Sequence, residues 1–209
     1  MRSSLRSNTI QHNTFAVGGA PPTKTSVRQF STIAATLLLI SIDLAAAEKP
    51  AGPEIYEDSN LIMHVMTRTP EQLIAFYSAR GFNQASVDAI TERCFVFAMV
   101  ENKAQGKLWL VLDDWQFINA DNKSIDRINR ADWNQVWRNT GLPQAKQSTF
   151  GWTQLPESRD LHQHEHVGGQ LSLPWQNTPF KLVANFKTAS DKSGPVRQVT
   201  FENLKCRKQ

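Results

Sequence analysis

The chain has 209 residues with 23 Lys and Arg against 19 Asp and Glu, a formal net charge of +4. The excess sits near the start, since Arg2, Arg6, Lys24 and Arg28 face only Asp43 ahead of Glu48, and residues 48–209 carry 19 basic and 18 acidic side chains. That balance excludes a nucleic-acid partner, which needs a clustered basic footprint, and the Lys205-Cys206-Arg207-Lys208 run reads as a solvated terminus.

Ser31 to Ile42 is a 12-residue apolar run, followed by Leu44-Ala45-Ala46-Ala47 and the polar Glu48-Lys49-Pro50. It suits the apolar region of a signal peptide and falls short of the roughly 20 residues that span a bilayer. Asp43 opposes permanent anchoring, because a carboxylate in hydrocarbon costs about 2.5–3.5 kcal/mol on insertion scales. No cysteine stands near the alanines to carry a lipid. Residues 1–47 are therefore expected to be a leader cut after Ala47. The product is a soluble exported protein, periplasmic or extracellular, with no stable membrane span after processing. The 26 polar-rich residues ahead of Val27 are long for such a signal, and a start at Val27 would leave one of ordinary length. The alternative is a cytoplasmic tail on an uncleaved anchor.

The remaining 162 residues suit one domain, large enough to bury a core. Its two cysteines, Cys94 and Cys206, are expected to be joined, as a lone pair in an oxidising compartment usually is; two separate buried thiols are the alternative.

Residues 48–58, rich in Pro, Gly and acid, read as a flexible lead-in to a globular domain at 59–209. Leu61 to Met66 has strand character. A helix follows, with Thr69 as N-cap, Pro70 in the first position, Gln72 as capping-box partner, Leu73, Phe76, Tyr77 and Arg80 at helical spacing, and Gly81 as stop. A second helix is predicted from Ser86, as cap, to Arg93. Then the period changes to two. Cys94–Val100 and Lys107–Leu112, joined by Glu101–Gly106, read as a hairpin of central strands, apolar on both faces. Asn119–Asn122 reads as loop. A third helix is predicted through Ile125, Ile128, Trp133, Val136 and Trp137, stopped by Gly141 and Pro143. Residues 144–179 show no sustained period, and Phe180–Thr188 with Val196–Leu204 form a closing hairpin. The fold class this predicts is α+β: a largely antiparallel sheet from two hairpins plus one added strand, packed with two or three helices.

Three groups of residues bear on chemistry. If extended, His162, His164 and His166 share a side with imidazoles about 6.5–7 Å apart, so they could converge on Zn²⁺ or Cu²⁺; the plainer reading is a polar loop. Trp152 and Trp175 lie in the irregular stretch and could offer flat faces to sugars or peptides, while Trp109, Trp133 and Trp137 sit on apolar faces as core. Asp113, Asp114, Glu157 and Asp160 are the available carboxylates for glycoside cleavage, though turn and cap roles explain them more simply. No G-x-S-x-G, H-E-x-x-H or Gly-rich phosphate loop is present. The leading expectation is non-catalytic binding or a structural role in the cell envelope. A metal-binding protein using the histidines is the alternative, and a glycan-active enzyme ranks third.

Overall fold

The computed structural model describes residues 52–207; the leader, its cleavage site and the Val27 start lie outside the described residues. In chain order the elements are β1 (Glu54–Glu57), β2 (Leu61–Thr67), α1 (Pro70–Ser78), α2 (Gln84–Thr91), β3 (Cys94–Asn102), β4 (Leu108–Val111), β5 (Gln116–Asn119) and β6 (Ser124–Ile125). They continue with α3 (Arg130–Thr140), α4 (Gln144–Thr153), β7 (Ser158–Leu161), β8 (His166–Leu173), β9 (Phe180–Thr188) and β10 (Arg197–Leu204). The fold is α+β and its sheets are antiparallel. One sheet has the order β1-β2-β3-β8; the other has β6-β5-β9-β4-β7, with β10 on the free side of β9.

Local signals formed as expected where they were self-contained. The Thr69 side chain accepts from the Gln72 amide while Gln72 Oε1 accepts from the Thr69 amide, starting α1 with Pro70 in its first turn. Gly141 ends α3 in the left-handed region at φ 65°.

Other boundaries moved. The lead-in predicted over 48–58 forms a strand at Glu54–Glu57, paired along β2. The cap of α2 is Asn83 rather than Ser86: Asn83 Oδ1 accepts from the Ser86 amide at 2.8 Å, while the buried Ser86 hydroxyl reaches Thr140 Oγ1 at 2.9 Å. Ile125 belongs to β6, and α3 begins only after Asn129, capped by Asn129 and Asp132. Residues 144–179 hold α4, β7 and β8. These lacked a visible period because α4 buries only Phe150 and β8 carries Gly168-Gly169 in mid-strand.

The largest departure concerns the first predicted hairpin. β3 and β4 do not pair. β3 lies between β2 and β8 in one sheet, whereas β4 lies between β7 and β9 in the other. The chain bends between β3 and β4, and the partner chain bends back between β7 and β8, so two strand pairs pass together from one sheet to the other. One buried cluster fills the space between the sheets. It joins Leu61, Met63 and Val65 of β2 and Val96, Ala98 and Val100 of β3 to Leu110, Leu161, Leu182 and Phe186 of the second sheet.

Asn102 sits at the bend, fully buried. Its Nδ2 donates to Gly106 O at 2.7 Å and to Leu161 O at 2.9 Å, and its Oδ1 accepts from the Ala104 amide at 3.0 Å. Its own amide donates to Glu165 O, and its carbonyl accepts from the His164 amide. One side chain thus satisfies the polar backbone of both bending chains, which burial would otherwise leave without partners. Elsewhere the sheets are joined covalently. Cys94 at the start of β3 is bonded to Cys206 just past β10, with Cα atoms 5.3 Å apart.

The outer face of β3 explains its doubly apolar sequence. Cys94 and Val96 point into the sandwich, while Phe95 points outward into a second cluster with Leu73, Tyr77, Phe82, Val87, Ile90, Trp133, Trp137 and Phe150 of the helical layer. Trp133 and Trp137, one turn apart, stack at 4.8 Å, and Phe150 meets both rings at under 5 Å. β4 has no such cover, and its Trp109 is flanked by Lys107 and Lys192 instead.

Replacing Asn102 by Ala should cost about 3 kcal/mol or more in chemical denaturation, since each buried carbonyl or amide left without a partner costs about 1–3 kcal/mol. A loss under about 1 kcal/mol would show that the bend is held by other contacts.

Closing a loop of sequence separation 112, the Cys94–Cys206 bond should contribute about 4–5 kcal/mol on chain-entropy grounds. A double Ala variant measured against the parent checks it; equal midpoints would refute the contribution.

Burial pushes the Tyr77 phenol up to about 12, although its hydrogen bond to Thr153 Oγ1 works in the opposite direction. A phenol kept neutral by folding favours the native state fully below its unfolded value near 10, and that contribution disappears as pH rises from there through about 12. Ultraviolet titration should therefore show a tyrosine ionising only as pH approaches about 12, a step absent from Tyr77→Phe.

Candidate functional site

A cleft of about 890 Å³ opens between α3, α4 and the β8 end of the first sheet, a size suited to a small ligand. Its position follows from three local causes. Asn129 and Gly141 set where α3 starts and stops, and Pro143 turns the chain directly into α4. After α4 the backbone drops onto β8, where the Leu155 amide donates to Gln170 O at 3.0 Å. Only glycine permits that approach: a Cβ on Gly169 would lie 2.3 Å from Leu155 N and 2.5 Å from Gln154 C. The Gly168-Gly169 pair is thus the bed on which the cleft's far wall rests.

The floor is aromatic and the walls are polar. Trp133, Trp137 and Phe150 reach the cleft from the helical core. Trp133 Nε1 donates to Ser172 Oγ at 2.8 Å, and the Ile128 amide donates to Ser172 O at 2.8 Å, which ties α3 to β8. Gln170, only 7% exposed, also lines the cleft, and its buried Oε1 has no hydrogen-bond partner among the described residues. Trp152, at the C-terminal end of α4, lines the cleft with its side chain 90% exposed. A large indole left in water is the costliest apolar group to expose, so its placement beside a polar cleft calls for a contact surface.

Arg127 supplies the main buried charge. Its guanidinium is 15% exposed and bridges Glu157 at 2.9 Å and Asp113 at 3.3 Å, both carboxylates being well exposed. Arg130, in the first turn of α3, is exposed and makes no hydrogen bond or ion pair among the described residues. Its Nη2 stands 3.6 Å from where a Cβ on Gly151 would lie, across the cleft on α4.

The residues singled out from sequence are distributed differently. Trp152 is in the cleft; Trp175 is half-buried beyond β8 and does not line it. The histidines are not on one extended run. His162 to Glu165 form a turn in which the Glu165 amide donates to His162 O, Glu165 Oε2 accepts from the His162 amide, and His164 takes the left-handed φ of 65°. His166 opens β8 opposite Glu101. Among the described residues no three His, Cys, Asp or Glu side chains gather to hold a metal ion. The segment instead forms the outer limb of the bend around Asn102. Each candidate carboxylate has a cation: Asp113 and Glu157 share Arg127, Asp114 meets Lys187 and Asp160 meets Lys107, both at 3.0 Å.

Arg127, Gln154 and Gln170 were not found by sequence reasoning. Gln154 and Gln170 lie in the segment that shows no period, and Arg127 fell inside the helix expected through Ile125 and Ile128, which starts only after Asn129.

No protein-family model and no curated protein matches the chain. Among solved structures it is similar to the yjhA protein from Bacillus subtilis, at 13% identity and a TM-score of 0.35, covering 63% of this chain and 77% of that one. It is also similar to the lipoprotein candidate ycdA from Bacillus subtilis subsp. subtilis str. 168, at 11% identity and a TM-score of 0.37. That match covers 71% of this chain, which spans only 38% of that one.

Proposed function

We propose that this protein works after export as a non-catalytic binding module whose ligand sits in the cleft between α3, α4 and β8, and that the ligand is a glycan. The observation that carries the reading is Trp152, 90% exposed on the wall of a cleft of about 890 Å³. A flat indole face stacks on the C–H face of a sugar ring, while Gln144, Gln147 and Asn134 around it offer amide donors and acceptors for hydroxyls. Gln170, at the floor of the same cleft, adds a further side-chain amide to this polar lining. Export is supported by the apolar run ahead of Ala45-Ala46-Ala47 and by the Cys94–Cys206 bond, which belongs in an oxidising compartment. No helix among the described residues is long and apolar enough to cross a membrane.

Glycan-array binding followed by calorimetry tests this. Trp152→Ala should lose at least about tenfold in affinity, about 1.4 kcal/mol, while leaving stability within about 0.5 kcal/mol because the side chain is already in water. Trp175→Ala, outside the cleft, should bind as the parent does. Retained binding in Trp152→Ala, or an array with no signal at all, would overturn the reading.

A further inference from the structure

The outer face of the first sheet is covered by helices only at one end. At the other end its cross-strand register brings together one imidazole and two thioether side chains. His64 and Met66 are two residues apart on β2, and Met99 on β3 stands directly opposite His64. Partners directly opposite in an antiparallel pair point to the same face, so all three point away from the sandwich core, in which Met63, Val65, Ala98 and Val100 are wholly buried. Directly opposed Cβ atoms lie about 4.5–5.5 Å apart and diagonal ones about 7–8 Å, distances that an imidazole and two three-bond thioether arms can close. All three are half-buried, and His64 makes no hydrogen bond or ion pair among the described residues. The row continues onto Gly168, opposite Met99, where a Cβ would touch Met99 Cβ at 3.5 Å and Phe97 Cζ at 3.4 Å. With no side chain there, the Phe97 ring tip lies over Gly168 and borders Met99 on that flank. Arg68, over the Phe97 ring at 4.9 Å, closes the helical end of the patch.

We propose that His64, Met66 and Met99 form a three-coordinate site for a soft monovalent cation, Cu(I). Thioether sulfur is neutral and polarizable, so it gives little to Zn²⁺, Mg²⁺ or Ca²⁺ and favours Cu(I), with the neutral imidazole as third donor. The protein has no free thiol among the described residues, its two cysteines being bonded to one another, so thioethers are its only sulfur ligands there. A site of this kind holds the ion without a thiolate that the oxidising compartment would consume. The cleft reading does not depend on it.

The test is a competition between the intact purified protein and bicinchoninate for Cu(I) kept reduced with ascorbate. One equivalent should be withheld from the chelator. Met66→Leu, Met99→Leu and His64→Gln should each weaken retention by more than the roughly 10- to 100-fold that changes around a metal's ligands cost, and the Leu replacements preserve the apolar volume. A triple Ala variant of His162, His164 and His166 should retain Cu(I) unchanged. Methyl NMR with Ag(I) provides a second readout: the Met66 and Met99 methyls should shift, and the Met63 methyl, buried on the opposite face, should not. Complete transfer of copper to the chelator, undiminished retention in the Leu variants, or equal shifts at Met63 would overturn the proposal.

Discussion

The architecture depends on how two neighbouring chains leave one sheet and enter another while keeping their backbone polar groups paired. Asn102 solves this at a single point. Its side chain has two donor hydrogens and one acceptor oxygen, and each finds a backbone group belonging to one of the two bending chains. An aliphatic residue of similar size would fill the space and leave those groups buried without partners. A charged one would bring a desolvation cost larger than any bond it formed. Because β3 and β8 pair below the bend and β4 and β7 pair above it, the register of both sheets follows from this corner. The disulfide between Cys94 and Cys206 secures the far end of β3 to the other sheet, so β3 is held at both ends.

Once the sandwich exists, the outer face of its first sheet is divided. Phe95 draws the helices onto one end, where the Trp133, Trp137 and Phe150 rings close over it. The four helices among the described residues leave part of that face uncovered, and this remainder, with Ile55, His64 and Met99 in one row, meets solvent to differing degrees. Both candidate sites arise from that division. The cleft lies where the helical layer is tied down by Ser172 and Gly169 without filling the space between α3 and α4. The His64, Met66 and Met99 patch lies where the helices stop.

Elements whose cause lies within a few residues were legible. Thr69, Pro70 and Gln72 announced α1, and Gly141 its counterpart at the end of α3, because caps are satisfied locally. The doubly apolar run from Cys94 onward correctly indicated layers on both faces of β3. Trp152 was singled out because an indole in a weakly patterned segment has few buried places to go. The plainer reading of His162 to His166 as a polar loop fits the turn at His162 to Glu165, but its shape was not legible, because it is set jointly by Glu165 and by the backbone of Asn102, about sixty residues earlier. The period of α4 was invisible because one buried Phe cannot mark a face.

By itself the sequence determined the α+β class, the capped start of α1, the Gly141 stop of α3, the alternating apolar strands and the pairing of its only two cysteines, since each follows from local sterics, side-chain periodicity or simple counting. Tertiary structure alone decided which strand partners which. A run such as Leu108–Val111 is equally able to pair with β3 or with β7 and β9, and only the bend at Asn102 selects between them. The cleft and the methionine patch belong to the same category. Their residues come from different elements, and cross-strand register and helix placement bring them together through contacts distant in sequence.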